Sequence, residues 1–238
     1  MIPPAVALRD LRFRWPGTAT DCLAIDRFEL APGERVFLHG PSGSGKSTLL
    51  SLIGGVLSPS AGAVSVAGQA LGTLSPAARD RYRADHIGFV FQLFNLLPYL
   101  SARDNILLAC RFSAARRTRL QRAGCSPALE VQRLAAHLDL APDLLDRPAS
   151  ALSVGQQQRV AAARALIGQP GLVVADEPTS ALDADRQAAF LELLLGECAA
   201  AGAALLFVSH DSRLAARFDR VLSLTELNHV ASDSGVHP

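Results

Sequence analysis

The 238 residues carry almost no net charge, with 23 Lys and Arg against 22 Asp and Glu, a formal +1. That balance gives no overall attraction to nucleic acid, so such a role would need a local basic patch. One basic run exists, Arg111, Arg116, Arg117, Arg119 and Arg122, and it reads as a solvated face or loop. No nucleic-acid partner is expected. Cysteine is scarce: Cys22, Cys110, Cys125 and Cys198 are scattered, with no Cys-x-x-Cys pair. This argues against a zinc site and fits a reduced cytoplasmic setting. The first ten residues lack the charged-then-apolar layout of a signal peptide. No apolar stretch approaches the ~20 residues that span a bilayer. The expectation is a soluble cytoplasmic chain with no direct membrane insertion, peripheral on a membrane only through a partner. Internal repeats and long heptad runs are also missing.

What is present is globular: 49% hydrophobic and 19% charged residues, in a length that allows one core or a core with a subdomain. Val6, Leu8, Leu11 and Phe13 alternate with polar residues and read as an edge-type β region. Leu23 to Leu30 ends at the turn Ala31-Pro32-Gly33-Glu34. Arg35 to His39, Ala63 to Ala67, Ile87 to Phe91, Leu172 to Ala175, Ala204 to Ser209 and Asp219 to Leu224 read as further strands. Helical character follows at Ser47 to Val56, after Ser75-Pro76, at Ser153 to Gly168 and at Ala184 to Ala200. Residues 93–160 read as a helical insertion, opened by the start signal Ser101-x-x-Asp104 and broken by the Arg-rich stretch and Gly124-Cys125-Ser126-Pro127. The polar tail, 225–238, is expected to fray. Strands alternating with helices predict an α/β layer on a mostly parallel sheet.

Two segments carry chemistry. Gly40-Pro41-Ser42-Gly43-Ser44-Gly45-Lys46-Ser47 fits G-x-x-x-x-G-K-[ST], between a strand and a helix. The glycines let successive N–H groups point inward, and the helix offers its positive end to a polyphosphate. Lys46 can reach the β- and γ-phosphates, and the Ser47 hydroxyl can ligate Mg²⁺. Thr48 completes the loop. Leu172 to Glu177 is an apolar strand ending in two carboxylates, where parallel sheets bind ligands. Asp176 suits the metal shell through water, and Glu177 is the candidate general base. Together they predict binding and hydrolysis of a nucleoside triphosphate, ATP.

Leu152-Ser153-Val154-Gly155-Gln156, Ser180-Ala181-Leu182-Asp183, Ser209-His210-Asp211 and Gln92 after Phe91 complete a set, in order, that resembles the ATP-binding-cassette (ABC) ATPase family from about Val6 to Leu224. The resemblance implies a P-loop NTPase core with a mostly parallel sheet, an N-terminal antiparallel β part and an inserted helical subdomain. Its divisions would be a core of 1–92 and 161–224, a helical subdomain of 93–160 with the signature, and a tail. It implies that Trp15 stacks on adenine, the alternative being a core Trp15 with Phe13 stacking. Gln92 would touch Mg²⁺ or the attacking water, His210 the γ-phosphate, and Asp183 a dimer interface. Catalysis would rest on Glu177, His210, Lys46 and Gln92, and the metal on Ser47, Gln92 and Asp176. Ser153, Gly155 and Gln156 would face the nucleotide of a second copy. Val154 departs from the commonest signature, LSGGQ, and function is expected to survive it. The wording is similar to the lipoprotein-release, macrolide-export and cell-division group, whose partners are membrane permease subunits. The exposed apolar loop Phe91 to Tyr99 would dock the permease, unless its side chains pack within the helical insertion. A role in signalling through a permease without moving cargo stays open.

Overall fold

In the computed structural model, which describes residues 2–180 and 182–230, the alternating N-terminal segment forms β1 (Val6–Phe13). It pairs antiparallel with β2 (Leu23–Leu30), Val6 opposite Leu30 and Phe13 opposite Leu23. The chain continues through β3 (Arg35–His39), α1 (Lys46–Ile53), β4 (Ala61–Val66) and β5 (Gln69–Ala70). The antiparallel sheet has the order β2-β1-β4-β5, so β1 is an inner strand and not the expected edge. Arg9 is exposed on the open face of a sheet wet on one side, and Asp10, at φ +48°, is exposed where the register shifts between Arg9 and Arg12. Alternation reports that face, and says nothing about how many neighbours the strand has.

A parallel sheet forms from β3, β6 (Ile87–Val90), β7 (Leu172–Asp176), β8 (Ala204–Val208) and β9 (Arg220–Ser223), in the order β6-β7-β8-β3-β9. Its central strands are apolar without a break because both faces are covered. Phe37, Val173, Ala175, Leu205 and Phe207 face the core beneath the helices. Their neighbours Val36, Leu38, Leu172, Val174 and Leu206 join the core under the antiparallel sheet and α1. The period of two thus divides one sheet between two cores.

Five helices follow α1: α2 (Pro76–His86), α3 (Ala102–Phe112), α4 (Ala114–Arg122), α5 (Pro127–His137) and α6 (Val154–Leu166). Hydroxyls start them as the sequence signals. Ser75 Oγ accepts from Ala78 N, with Pro76 in the first turn, and Ser101 Oγ accepts from Asp104 N at 3.0 Å. The Arg-rich stretch spans the break between α3 and α4. The break falls at Ser113, which caps α4 as its Oγ accepts from Arg116 N at 3.0 Å; Arg116, Arg117, Arg119 and Arg122 then lie within α4. Arg111 and Arg122 are exposed, as a solvated face requires, but Arg117 and Arg119 are half-buried and Arg116 is buried. The last elements are α7 (Ala184–Ala201) and α8 (Leu224–Leu227). Beyond α8 the chain is held through residue 230. Asn228 Oδ1 accepts from Ala24 N at 2.8 Å, and His229 N donates to Ala24 O at 2.8 Å. The remainder of the expected fraying tail, 231–238, lies outside the described residues.

Candidate active site

The phosphate loop follows β3 directly. Gly45 takes φ +98°, and a Cβ there would stand 2.9 Å from Leu23 Cδ2, so both backbone and packing require glycine. Gly45 is also the N-cap of α1 and supplies no side-chain acceptor, which leaves the first N–H groups of that helix for a ligand. Lys46 Nζ donates to the carbonyls of Gly40 (2.8 Å) and Pro41 (2.9 Å).

A cavity of about 540 Å³ opens over this loop. From the loop it takes Gly40, Pro41, Ser42, Gly43, Gly45 and Lys46, continuing to Ser47 and Thr48. Trp15, Gln92, Asp176, Glu177 and His210 close its other sides. Among the loop residues singled out by sequence, Ser44 does not reach the lining, and its hydroxyl is buried without a hydrogen-bond partner.

Each wall has a local cause. Trp15 follows β1, is 44% exposed and meets buried Phe13 edge-on, centroids 5.0 Å apart at 87°. Phe13 supports Trp15 from the core while Trp15 presents a face to the cavity. Gln92 follows β6 across Phe91, whose ring stacks on Phe89 at 5.3 Å. At the end of β7, Ser47 Oγ donates to Asp176 Oδ2 at 3.2 Å. Burial pushes the Asp176 carboxyl above its usual range, against the pull of that hydrogen bond. Glu177 leaves the strand with φ +47°, its N–H donating to Val208 O at 2.9 Å. Its carboxylate Oε2 lies 2.8 Å from His210 Nδ1, and a ring N–H donates there. The two adjacent carboxylates thus face different partners, one the hydroxyl of α1 and the other an imidazole.

Cys22 also lines the cavity, its Sγ 3.9 Å from Thr48 Oγ1. No motif carries it. It arrives because β2 begins beside the loop, which a scattered cysteine in the sequence does not reveal.

The LSVGQ segment is elsewhere. Ser153, Val154, Gly155 and Gln156 line a second cavity of about 410 Å³, with Arg159 and Arg186. Ser153 Oγ accepts from Gln156 N at 3.4 Å, and Gln156 Oε1 accepts from Ser153 N at 2.9 Å, a reciprocal cap on α6. A Cβ at Gly155 would meet open space, and Val154 is 48% exposed. Asp183 caps α7, its Oδ1 accepting from Arg186 N at 3.0 Å. Within the apolar loop, Leu93 and Tyr99 are 82% and 75% exposed. Phe94 departs from the exposed reading: it turns into the helical core at φ +58°.

A model of the ABC transporter family matches residues 23–180. The chain belongs to the ABC transporter family. Similar to this ABC ATPase is the lipoprotein-releasing system ATP-binding protein LolD of Novosphingobium aromaticivorans, 43% identical over 232 residues, 95% of this chain and 98% of its own. LolD of Pseudomonas fluorescens is 43% identical over 209 residues, 86% of this chain and 87% of its own. Among solved structures, the dimeric post-hydrolysis state of the ATP-binding cassette MJ0796, bound to ADP and Pi, superposes with a TM-score of 0.79. It is 31% identical, covering 92% of this chain and 93% of that one. The fold is the P-loop ABC ATPase fold, with its antiparallel sheet, parallel sheet and helical part. The ABC ATPase described here is an ATP-binding and ATP-hydrolysing subunit of a transporter.

Proposed function

We propose that two copies of this ABC ATPase close head to tail around two ATP molecules and thereby drive a membrane permease. One observation carries the reading: the phosphate loop and LSVGQ line different cavities of the same chain. A two-fold partner turns its LSVGQ over the phosphate loop, and the interface is self-complementary. The dimeric MJ0796 cassette supports it.

In that assembly Lys46 exchanges the Gly40 and Pro41 carbonyls for β- and γ-phosphate oxygens. The inward N–H groups of the loop, from Gly40 to Thr48, cradle the phosphates with the Ser42 and Thr48 positions, Ser44 lying behind the lining, and Trp15 stacks on the base. The adjacent oxygens of Ser47 and Asp176, beside Gln92, fit an oxygen-seeking cation such as Mg²⁺, which when bound offsets phosphate charge. Asp176 would address such an ion through water. Glu177 takes the proton of the attacking water, held in place by His210. Ser153 and Gly155 approach the γ-phosphate from the partner, while Gln156 also fixes the start of α6. The divisions follow: a nucleotide core of 1–92 and 161–224, a helical subdomain of 93–160 and the tail.

The permease would meet Leu93, Tyr99 and Phe112, all more than 70% exposed, beside a groove of about 270 Å³ walled by Phe89, Phe91 and Leu108. Among the described residues no helix is long and apolar enough to cross a membrane. The permease then holds the ATPase at the inner face of the cell membrane. With the names of its relatives, this favours a lipoprotein-release type of system.

Replacing Glu177 by Gln tests the sandwich. The variant with Mg²⁺ and ATP elutes as a dimer in gel filtration, and reverts to monomer when ATP is withdrawn. A monomer with ATP bound would contradict the reading. Copurification with a membrane protein that survives Leu93→Ser and Tyr99→Ser together would reject the docking surface.

A further inference from the structure

Arg116 is buried, yet its partners are backbone carbonyls. Nε donates to Ala84 O (2.8 Å), Nη1 to Ala165 O (3.0 Å) and Ile167 O (2.7 Å), and Nη2 to Ile87 O (2.7 Å). Arg119, one turn on, donates to Gly168 O (2.7 Å) and Asp85 O (2.6 Å). These carbonyls belong to the last turns of α2 and α6, to the first residue of β6 and to the bend after α6. Two helix C-termini therefore converge here, with unpaired carbonyls and partial negative charge, and a guanidinium fork answers both. Burial pushes Arg116 down to about 10, which leaves it protonated at neutral pH. At the same place the backbones of β6 and α6 meet directly at Gly88, where a Cβ would lie 2.2 Å from Ala165 O.

The two elements joined here end at the two halves of the reaction. β6 leads across Phe91 to Gln92 in the ATP cavity, and α6 begins at the LSVGQ segment. We propose that Arg116 is a positioning residue for hydrolysis, locking the end of α6 to the start of β6 so that LSVGQ and Gln92 move as one body. The proposal rests on the head-to-tail reading above. Leverage makes it consequential. The 13-residue α6 is about 20 Å long, so a tilt of about 10° at the clamp moves Ser153 by about 3 Å, a hydrogen-bond length. Arg116 lines no part of the nucleotide cavity, and its one open side borders the groove beside Phe89 and Phe91.

The test compares Arg116→Lys, Arg116→Met and Arg119→Gln with the native protein, measuring ATP affinity, kcat and thermal unfolding. A lysine keeps the charge but cannot fork between four carbonyls. Both Arg116 variants are expected to bind ATP within about threefold of the native affinity while kcat falls about tenfold or more, as misplacement of about an ångström does. Arg119→Gln, less buried, is expected to lose kcat to a smaller degree with affinity unchanged. Native kcat in all three variants, or kcat and affinity falling together, would overturn the proposal. If the Arg116 variants fail to fold, Arg119→Gln decides it alone: native kcat overturns the clamp. If the Glu177→Gln protein with native Arg116 stays monomeric, the sandwich fails, and the split between kcat and affinity still judges the clamp.

Discussion

Asp176 holds a carboxylate where burial disfavours its charge, close to the hydroxyl it would share with a cation. Its folded pKa is raised above the ordinary 3.8, so its contribution to stability is complete below that value and is lost as pH rises through the folded value. Asp176→Asn is therefore expected to raise Tm of the nucleotide-free protein at pH 7, by about 2–4 °C per kcal/mol in a chain of this size. The gain should shrink as pH falls toward 3.8, and ATP hydrolysis by the variant at pH 7 is expected to be lower by about two orders of magnitude. A scan of Tm against pH with a phosphate-release assay checks both signs. Residues 40–48 and 172–177 were legible in the sequence because local rules place them: a glycine forced to φ +98° and carboxylates at the end of an apolar strand. Arg116 was not legible. Its partners lie 29, 32, 49 and 51 positions away, and no local pattern separates a buried clamp from a solvated face.

Between elements, α5 and α7 are joined by charge. Arg133 donates to Glu197 Oε2 at 2.9 Å and to Glu130 Oε1 at 2.9 Å, and His137 Nδ1 lies 2.7 Å from Glu197 Oε1. Both glutamates are buried. Burial pushes the Glu197 carboxyl up, but Arg133 and His137 together outweigh it and hold it below its usual range. Arg133→Leu leaves two buried carboxylates short of a partner and should cost about 2 kcal/mol at neutral pH. Glu197 has a depressed folded pKa, so its stabilisation is present above the ordinary 4.5 and is lost as pH falls through the folded value. The cost of the substitution should shrink as pH falls from 4.5 through the folded value. Urea unfolding in steps from pH 7 to well below 4.5 measures it, and a cost that stays constant over the whole range would contradict the assignment. Elements were read best where periodicity was strong. β2 and β3 match their sequence spans, whereas the place of β1 in its sheet depends on β4, which no pattern inside β1 encodes.

For the whole molecule the decisive fact is the separation of two cavities on one chain, about 540 and 410 Å³, each lined by half of the expected site. The family motifs made both halves legible, but their separation is a property of the assembled fold. Each hydrolytic site of the proposed dimer draws Lys46 from one copy and Ser153 from the other. Mixing two variants measures this directly. Lys46→Ala ruins the phosphate loop and Ser153→Arg ruins the signature, and each protein alone should be nearly inactive. In an equimolar mixture half of the dimers pair unlike chains, and each of these holds one intact site, so ATP hydrolysis should recover toward about a quarter of the native rate. A mixture no more active than the mean of its two components, with both still binding to partner chains, would contradict a site shared between copies.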